Sequence, residues 1–153
     1  MVKALAPALL SMAFTVVAQT PPAAQSIPPR SGPNHNGWQI LENAGAEQNP
    51  VKPTPESLAD GKRIYQKHCQ RCHGSAGIGD GPDADPNERP DDLTDPGRAV
   101  RNPDGVMFYK IWNGRKKPHM PGFKDDLSDE DVWTVINYIK TLRKATMPDD
   151  RPA

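Results

Sequence analysis

Apolar residues recur every three or four positions in three separate stretches of this 153-residue chain. Such spacing places them on one face of an α-helix, whereas a half-buried strand alternates apolar and polar positions. No convincing alternating stretch lies around them, so the pattern predicts an all-α protein. The positions are Leu58, Gly61, Tyr65 and Cys69 in the first stretch; Val106, Phe108, Ile111 and Trp112 in the second; and Val132, Val135, Ile136, Ile139 and Leu142 in the third.

The first helix carries strong start signals. Thr54 is a favoured N-cap residue, and Pro55 suits the first helical position. Gly61 lies on the apolar face, although glycine inside a helix costs about 1 kcal/mol relative to alanine. We therefore expect another helix to cross closely at Gly61.

The second helix is expected to use Asn102 as its N-cap and Pro103 as its first residue. Its apolar residues continue to Trp112. Asn113 and Gly114 then form a typical helix end, because glycine readily adopts the backbone conformation that follows the last turn.

The third helix is expected to begin at Ser128. Acidic residues occupy its first turn and basic residues its last, which matches the helix dipole at both ends. We expect Val135 and Tyr138 to pack across Gly61 and Tyr65 of the first helix.

The two cysteines of the chain, Cys69 and Cys72, form a C-x-x-C-H motif with His73. This motif is the attachment signature of a c-type haem. Two thiols one turn apart lie on one helix face, where each can add to one vinyl group at the porphyrin edge. His73 follows directly and can bind the iron as the proximal axial ligand. The motif therefore predicts one covalent haem c with its iron.

A C-x-x-C pair also occurs in thioredoxin-like redox sites, in zinc sites, and as a merely structural pair of cysteines. Two cysteines are too few for a four-cysteine zinc site. A thioredoxin-like site would need alternating strands and helices around the motif, and the strand pattern is missing.

Met120 is the predicted second axial ligand. It lies between Pro118 and Pro121 in a loop stiff enough to hold a side chain against the iron, and its soft sulfur favours the ferrous state. The alternatives are that His119 binds instead, or that Met120 only fills the core.

The segment between the motif and the second helix is rich in glycine and proline. Residues 74–82 cannot sustain a helix and are expected to turn around the edge of the haem. A backbone carbonyl near Pro90 is expected to accept a hydrogen bond from the second ring nitrogen of His73, which would fix its tautomer.

Composition limits how large the protein core can be. Only 35% of residues are hydrophobic and 6% aromatic, while 18 prolines and 12 glycines favour loops. A haem would supply the apolar volume that the chain lacks. The formal net charge is zero, and nothing indicates a nucleic-acid partner.

The chain begins with a signal-peptide pattern in residues 1–18. Lys3 precedes a mostly apolar run, and small residues precede the expected cut after Ala18. The run is short for a bilayer core of about 30 Å, although an uncleaved anchor is the alternative. Residues 19–53 are then a proline-rich tether or extension, and residues 147–153 a C-terminal tail.

Trp38, Ile40 and Leu41 interrupt the proline-rich extension. A free linker rarely carries a tryptophan beside two aliphatic residues. We therefore expect residues 38–53 either to wrap the domain and shield a haem edge or to form a loosely packed extension.

Residues 54–146 resemble the class I c-type cytochromes. The resemblance rests on the first helix with Gly61 and Tyr65, the Cys69, Cys72 and His73 motif, the Met120-Pro121 loop, and the last helix with Tyr138. It implies a small helical domain around one haem, with thioethers at both cysteines and with His73 and Met120 as axial ligands. The long N-terminal extension and the acidic loop after the motif depart from the compact family pattern.

The function that follows from the resemblance is single-electron transfer between redox protein partners, not bond-making catalysis. C-type haem is attached outside the cytoplasm, which agrees with export to a bacterial periplasm. We expect docking through the haem edge and a basic patch of Arg115, Lys116 and Lys117. The membrane would be reached only through a partner complex or an uncleaved N-terminus. The alternatives are a haem subunit of a larger respiratory or dehydrogenase complex, and an open-site haem enzyme or gas sensor.

Overall fold

A computed structural model describes residues 37–145, with side chains to residue 143. The predicted signal peptide, residues 19–36 and the C-terminal tail lie outside the described residues. Within 37–145 a 3₁₀ helix precedes five α-helices, and Arg115 and Met120 form an isolated antiparallel bridge. The predicted all-α fold is confirmed. The 3₁₀ helix is Ala44–Ala46, and the α-helices are α1 (Pro55–His68), α2 (Gln70–His73), α3 (Pro96–Arg101), α4 (Asp104–Asn113) and α5 (Asp129–Ala145).

Helices α1 and α5 cross at Gly61, as predicted. A methyl group built on Gly61 would lie 2.6 Å from the Thr134 carbonyl oxygen and 2.9 Å from Cβ of Tyr138. The rings of Tyr65 and Tyr138 lie 5.4 Å apart between centroids. The nearest residues to Gly61 are thus Thr134 and Tyr138, whereas Val135 lies in the core.

The N-terminal ends of α1 and α5 are each capped by side chains at the helix start. Thr54 Oγ1 accepts a hydrogen bond from the Ser57 amide at 3.2 Å. Ser128 Oγ accepts one from the Asp131 amide at 3.2 Å, and Asp131 Oδ2 accepts one from the Ser128 amide at 3.0 Å. Reciprocal pairs of this kind satisfy donors that a helix start leaves unpaired.

Helix α4 packs against α5 through stacked rings and one ion pair. The rings of Phe108 and Trp133 lie 4.4 Å apart, and Lys140 Nζ lies 2.8 Å from an Asp104 carboxylate oxygen. Together the helices enclose one hydrophobic core. Its buried members are Tyr65, Met107, Phe108, Ile111, Phe123, Val132, Val135, Ile136 and Ile139.

The start of α4 differs from the prediction. Asn102 does not cap α4: its side-chain amide donates to the Arg98 carbonyl at 2.8 Å, and its Oδ1 accepts from Lys110 Nζ at 2.5 Å. Asn102 therefore closes α3, a helix that was not predicted, and α4 begins at Asp104, after Pro103.

The described part of the extension packs on α4 and α5. Ala44 is fully buried. A methyl group built on Gly105 of α4 would collide with the carbonyl oxygen of Ala44. Asn49 Nδ2 donates to the Trp133 carbonyl at 2.9 Å, and Asn137 Nδ2 donates to the Val51 carbonyl at 2.8 Å. These contacts agree with the wrapping expected for residues 38–53.

Candidate haem-binding site

The C-x-x-C-H motif spans the junction between α1 and α2. The Cys69 amide donates to the Tyr65 carbonyl at 2.9 Å, and the His73 amide donates to the Cys69 carbonyl at 2.9 Å. The backbone therefore stays helical through the motif, and Cys72 lies about one turn after Cys69. This is the spacing that two bonds to one flat cofactor edge require.

His73 is oriented by a backbone carbonyl. Its Nδ1 lies 3.1 Å from the Asp91 carbonyl oxygen, and a carbonyl can only accept, so Nδ1 carries the proton. Nε2 then keeps its lone pair for a metal. Burial lowers the pKa of His73, against a smaller opposing effect of the Asp91 hydrogen bond, which favours the neutral ring that a metal ligand needs. The acceptor was predicted near Pro90 and is the next residue.

Asp91 is itself held by α3. Its carboxylate pairs with the Arg98 guanidinium, and Arg98 also lies 3.6 Å from the carboxylate of Asp95. Asp95 caps α3 by accepting from the Gly97 amide at 2.8 Å. Sequence reasoning missed this support, although Asp95 followed by Pro96 is a helix-start signal.

The glycine-rich loop, which is not helical, as predicted, folds back onto the motif. The Gly79 amide donates to the His73 carbonyl at 2.9 Å, and the Gly81 amide donates to the Cys72 carbonyl at 3.1 Å. Gly74 ends α2 with φ of 77°, a conformation that favours glycine. The buried Tyr65 hydroxyl donates to the Gly74 carbonyl at 2.7 Å, which ties this turn to α1.

The loop that carries Met120 is closed by paired backbone hydrogen bonds. The Arg115 amide donates to the Met120 carbonyl at 2.7 Å, and the Met120 amide donates back to the Arg115 carbonyl at 2.9 Å. Beyond the loop, the Phe123 amide donates to the Ile111 carbonyl at 3.0 Å. Met120 is half-buried, whereas His119 beside it is exposed.

One cavity brings together the four residues that the sequence singled out: Cys69, Cys72, His73 and Met120. The empty space inside it and at its open mouth is about 1110 Å³. The wall is mostly apolar, as a large flat cofactor requires. Its apolar side chains include Leu93, Met107, Ile111, Phe123 and Ile139.

The Cys69 thiol is not activated in the way that redox and zinc chemistry require. Burial raises the pKa of Cys69 to about 12, with a smaller effect from Cys72, so this thiol is neutral at pH 7. Thiol–disulfide enzymes and zinc sites need a thiolate. Among the residues that the structure describes, no group of three or more His, Cys, Asp or Glu side chains could hold a metal ion.

Another part of the cavity wall holds two cations against one aromatic ring: Lys110, Arg115 and Trp38. Lys110 Nζ lies 5.0 Å from the centroid of the Trp38 ring, and Arg115 Cζ lies 4.4 Å from it. Residues 38–53 were predicted to shield a haem edge, and of these residues Trp38 lines the cavity. Lys110 was not singled out, because a lysine inside an amphipathic helix carries no sequence signal for a site.

Residues 56–139 match the family model described as cytochrome C oxidase, cbb3-type, subunit III. The chain belongs to this family. The matched range runs from the first turn of α1 into α5 and includes Cys69, Cys72, His73 and Met120, whereas Trp38 lies before it. No curated protein matches this cytochrome.

Two solved structures resemble this cytochrome. The Kuenenia stuttgartiensis reducing HAO-like protein complex Kustc0457/Kustc0458 is 28% identical, with a TM-score of 0.50, over 61% of this chain and 46% of that chain. The KustC0563 c-type cytochrome is 26% identical, with a TM-score of 0.46, over 56% of this chain and 95% of that chain. The cytochrome thus spans about half the length of the first of these.

The predicted resemblance is confirmed: the protein is a class I c-type cytochrome, and its cofactor is covalently bound haem c with iron. The cavity fits that group, because it combines two thiols one turn apart, an imidazole with a free Nε2 and a thioether in an apolar wall. The domain is a haem electron-transfer domain. No helix within residues 37–145 combines the length and apolar character needed to cross a bilayer.

Proposed function

We propose that this protein carries single electrons between redox partners outside the cytoplasm, with one low-spin haem held by four residues. Cys69 and Cys72 form the thioethers, and His73 and Met120 bind the iron. The observation that carries the proposal is the shared apolar cavity, which all four residues line. Haem supplies a one-electron Fe(III)/Fe(II) couple when it is bound.

The residues around the cavity keep the site nearly fixed during electron transfer. The Asp91 carbonyl holds Nδ1 of His73, so the ring keeps one tautomer and one orientation. Paired hydrogen bonds between Arg115 and Met120 hold the sulfur in a closed loop. The apolar wall excludes water, and a dry, rigid site needs little rearrangement when its charge changes.

The proposal is tested by replacing the sulfur ligand. Met120→Ala is expected to remove the sulfur-to-iron charge-transfer band, to let the reduced protein bind carbon monoxide, and to lower the reduction potential, because a thioether favours the ferrous state. The measurements are absorption spectra of oxidised, reduced and carbon-monoxide-treated holoprotein, with a redox titration.

His119→Ala is the matched control, since it alters the rival ligand in the same loop. It should keep the band and remain closed to carbon monoxide. An unmodified holoprotein that already binds carbon monoxide would instead indicate an open-site haem enzyme or sensor. An unmodified holoprotein that lacks the band and stays closed to carbon monoxide, together with a His119→Ala variant that binds carbon monoxide, would assign the ligand to His119.

Docking is proposed to use the haem edge and the exposed lysines Lys116 and Lys117. The predicted patch also contained Arg115, but its guanidinium stacks on Trp38 and its Nε donates to the Pro118 carbonyl at 3.1 Å. Arg115 therefore helps to hold the loop in place and also adds positive charge to the patch. Replacing the two lysines is the better test of electrostatic steering of a redox partner, because it changes charge without these contacts.

Neutralising both lysines (Lys116→Gln with Lys117→Gln) is expected to slow oxidation of the reduced protein by ferricyanide by a factor of about three to ten at low salt. The salt dependence of the rate should also flatten, since screening acts on the same charges. Lys52→Gln with Lys62→Gln changes two exposed lysines outside the cavity wall and gives the same net charge. Equal rates in the two double variants would refute steering by this patch.

A second candidate is a haem subunit of a larger complex. The matching family is described as a cytochrome oxidase subunit, and one similar structure is a protein complex. Under this proposal residues 1–18 direct export, residues 19–53 tether the 54–146 domain, and residues 147–153 form a tail. Size-exclusion chromatography of gently extracted cells separates the two functions, because a free carrier elutes at the mass of one chain.

A further inference from the structure

We propose that Trp38, on the N-terminal extension, is a positioning residue for Met120 and acts through Arg115. The inference deepens the proposed function and rests on Met120 as the axial ligand. It makes the extension part of the ligand-binding apparatus, so that the strength of the sulfur-to-iron bond depends on a residue far from the loop in sequence.

Trp38 belongs to a firmly packed segment. Ile40, two residues later, is only 4% exposed. The Gln39 carbonyl accepts a hydrogen bond from Asn113 Nδ2 at 2.7 Å, at the end of α4. Because α4 ends directly before the Met120 loop, the position of Trp38 is fixed relative to that loop.

The Trp38 ring faces the guanidinium of Arg115. The Cζ atom lies 4.4 Å from the ring centroid, within the range for an attractive cation–π contact. Gly37 adds backbone contact on the same side, since a methyl group there would lie 3.6 Å from two side-chain carbons of Arg115. The extension thus covers the Arg115 side chain.

Arg115 transmits this position to Met120 in two ways. Its backbone amide and carbonyl are both hydrogen-bonded to Met120, at 2.7 and 2.9 Å. Its Nε–H donates to the Pro118 carbonyl at 3.1 Å, inside the loop. A shift of Arg115 therefore moves both ends of the segment that holds the sulfur.

The ring also contacts a second cation. Lys110 Nζ lies 5.0 Å from the Trp38 centroid, so Lys110 and Arg115 share one aromatic ring at the cavity wall. The attraction of both cations to the ring offsets their mutual repulsion, which would be uncompensated without it. That repulsion would add to the lost cation–π contact and loosen the Met120 loop.

The test measures how readily imidazole displaces the sulfur ligand from the ferric holoprotein, followed by loss of the charge-transfer band. Trp38→Ala is expected to raise the apparent imidazole affinity about two- to fivefold, which corresponds to the loss of one cation–π contact. Trp38→Phe keeps an aromatic face and should give a smaller increase. Gln39→Ala, an exposed side chain next to Trp38, should match the unmodified protein.

An unchanged imidazole affinity in Trp38→Ala overturns the inference. If Trp38→Ala yields no holoprotein, Trp38→Leu, which keeps apolar bulk without an aromatic face, carries the test, and an unchanged affinity there overturns the inference equally. A band that is absent from the unmodified protein, or retained in Met120→Ala, would refute the proposed function instead. If the unmodified protein shows the band and all Trp38 variants bind imidazole with the same affinity as it does, only the positioning role of Trp38 is refuted.

Discussion

A double variant, Cys69→Ala with Cys72→Ala, is expected to lose covalent haem completely. No other cysteine exists in the chain to form a thioether. Acid–acetone extraction should then remove all haem from the variant, and a denaturing gel stained for haem peroxidase activity should show no signal. The unmodified protein should keep its haem in both assays.

Loss of the cofactor should also destabilise the fold. The cavity has an apolar wall formed by core residues such as Ile111, Phe123 and Ile139, and without haem these would border water or a void. Unfilled apolar cavities cost about 20 cal/mol per Å² of cavity surface. The variant should therefore show less helix by circular dichroism and a lower midpoint of thermal unfolding.

The single variants make the test specific. Cys69→Ala and Cys72→Ala should each keep one thioether and resist extraction, with an absorption maximum shifted by the remaining vinyl group. Gln70→Ala changes the motif between the thiols and should leave attachment unaltered. Haem that resists extraction in the double variant would contradict attachment at these cysteines.

The helices that form the core could be predicted because their signals are local. Thr54, Pro55 and Ser128 mark helix starts by capping chemistry that depends only on neighbouring residues. The apolar spacing in α4 and α5 identified the faces that are now buried. Gly61 was informative for another reason: a costly residue inside a helix indicates a close neighbour.

The residues that orient His73 were harder to predict than the core helices, because their effect depends on contacts between distant segments. Helix α3 has only six residues, too few for an apolar period, and its effect on His73 passes through Arg98 and Asp91. Asn102 next to Pro103 looked like a helix start, but its side chain instead bonds the end of α3. Local rules cannot choose between two adjacent helices that compete for one residue.

The contact between Arg115 and Trp38 could not be predicted for the same reason. In the sequence it stands beside Lys116 and Lys117, and charge patterning places all three on a solvated surface. Only the folded extension shows that Arg115 stacks on Trp38, which is 77 positions earlier in the chain by residue number. A functional contact of this kind has no sequence signal except an unexpected tryptophan in a proline-rich segment.

Gly61→Ala is expected to destabilise the holoprotein strongly, although alanine is the better helix former by about 1 kcal/mol. The added methyl group would lie 2.6 Å from a backbone oxygen of α5 and 2.9 Å from Cβ of Tyr138. Neither atom belongs to a flexible side-chain end, so α1 and α5 would have to separate. Overpacking of this kind typically costs about 1–3 kcal/mol, occasionally more, and we expect a net loss of about 2 kcal/mol.

The measurement is the free energy of unfolding of the holoprotein in guanidinium chloride. Gly45→Ala is the matched control, because the same methyl group would contact only Pro103 there, at 3.8 Å, and should leave stability within about 0.5 kcal/mol. Because α1 ends at the first cysteine, separation from α5 would also move Cys69 relative to Met120. A variant as stable as the unmodified protein would show that the helices can separate at no cost, and would remove Gly61 as the reason for their close crossing.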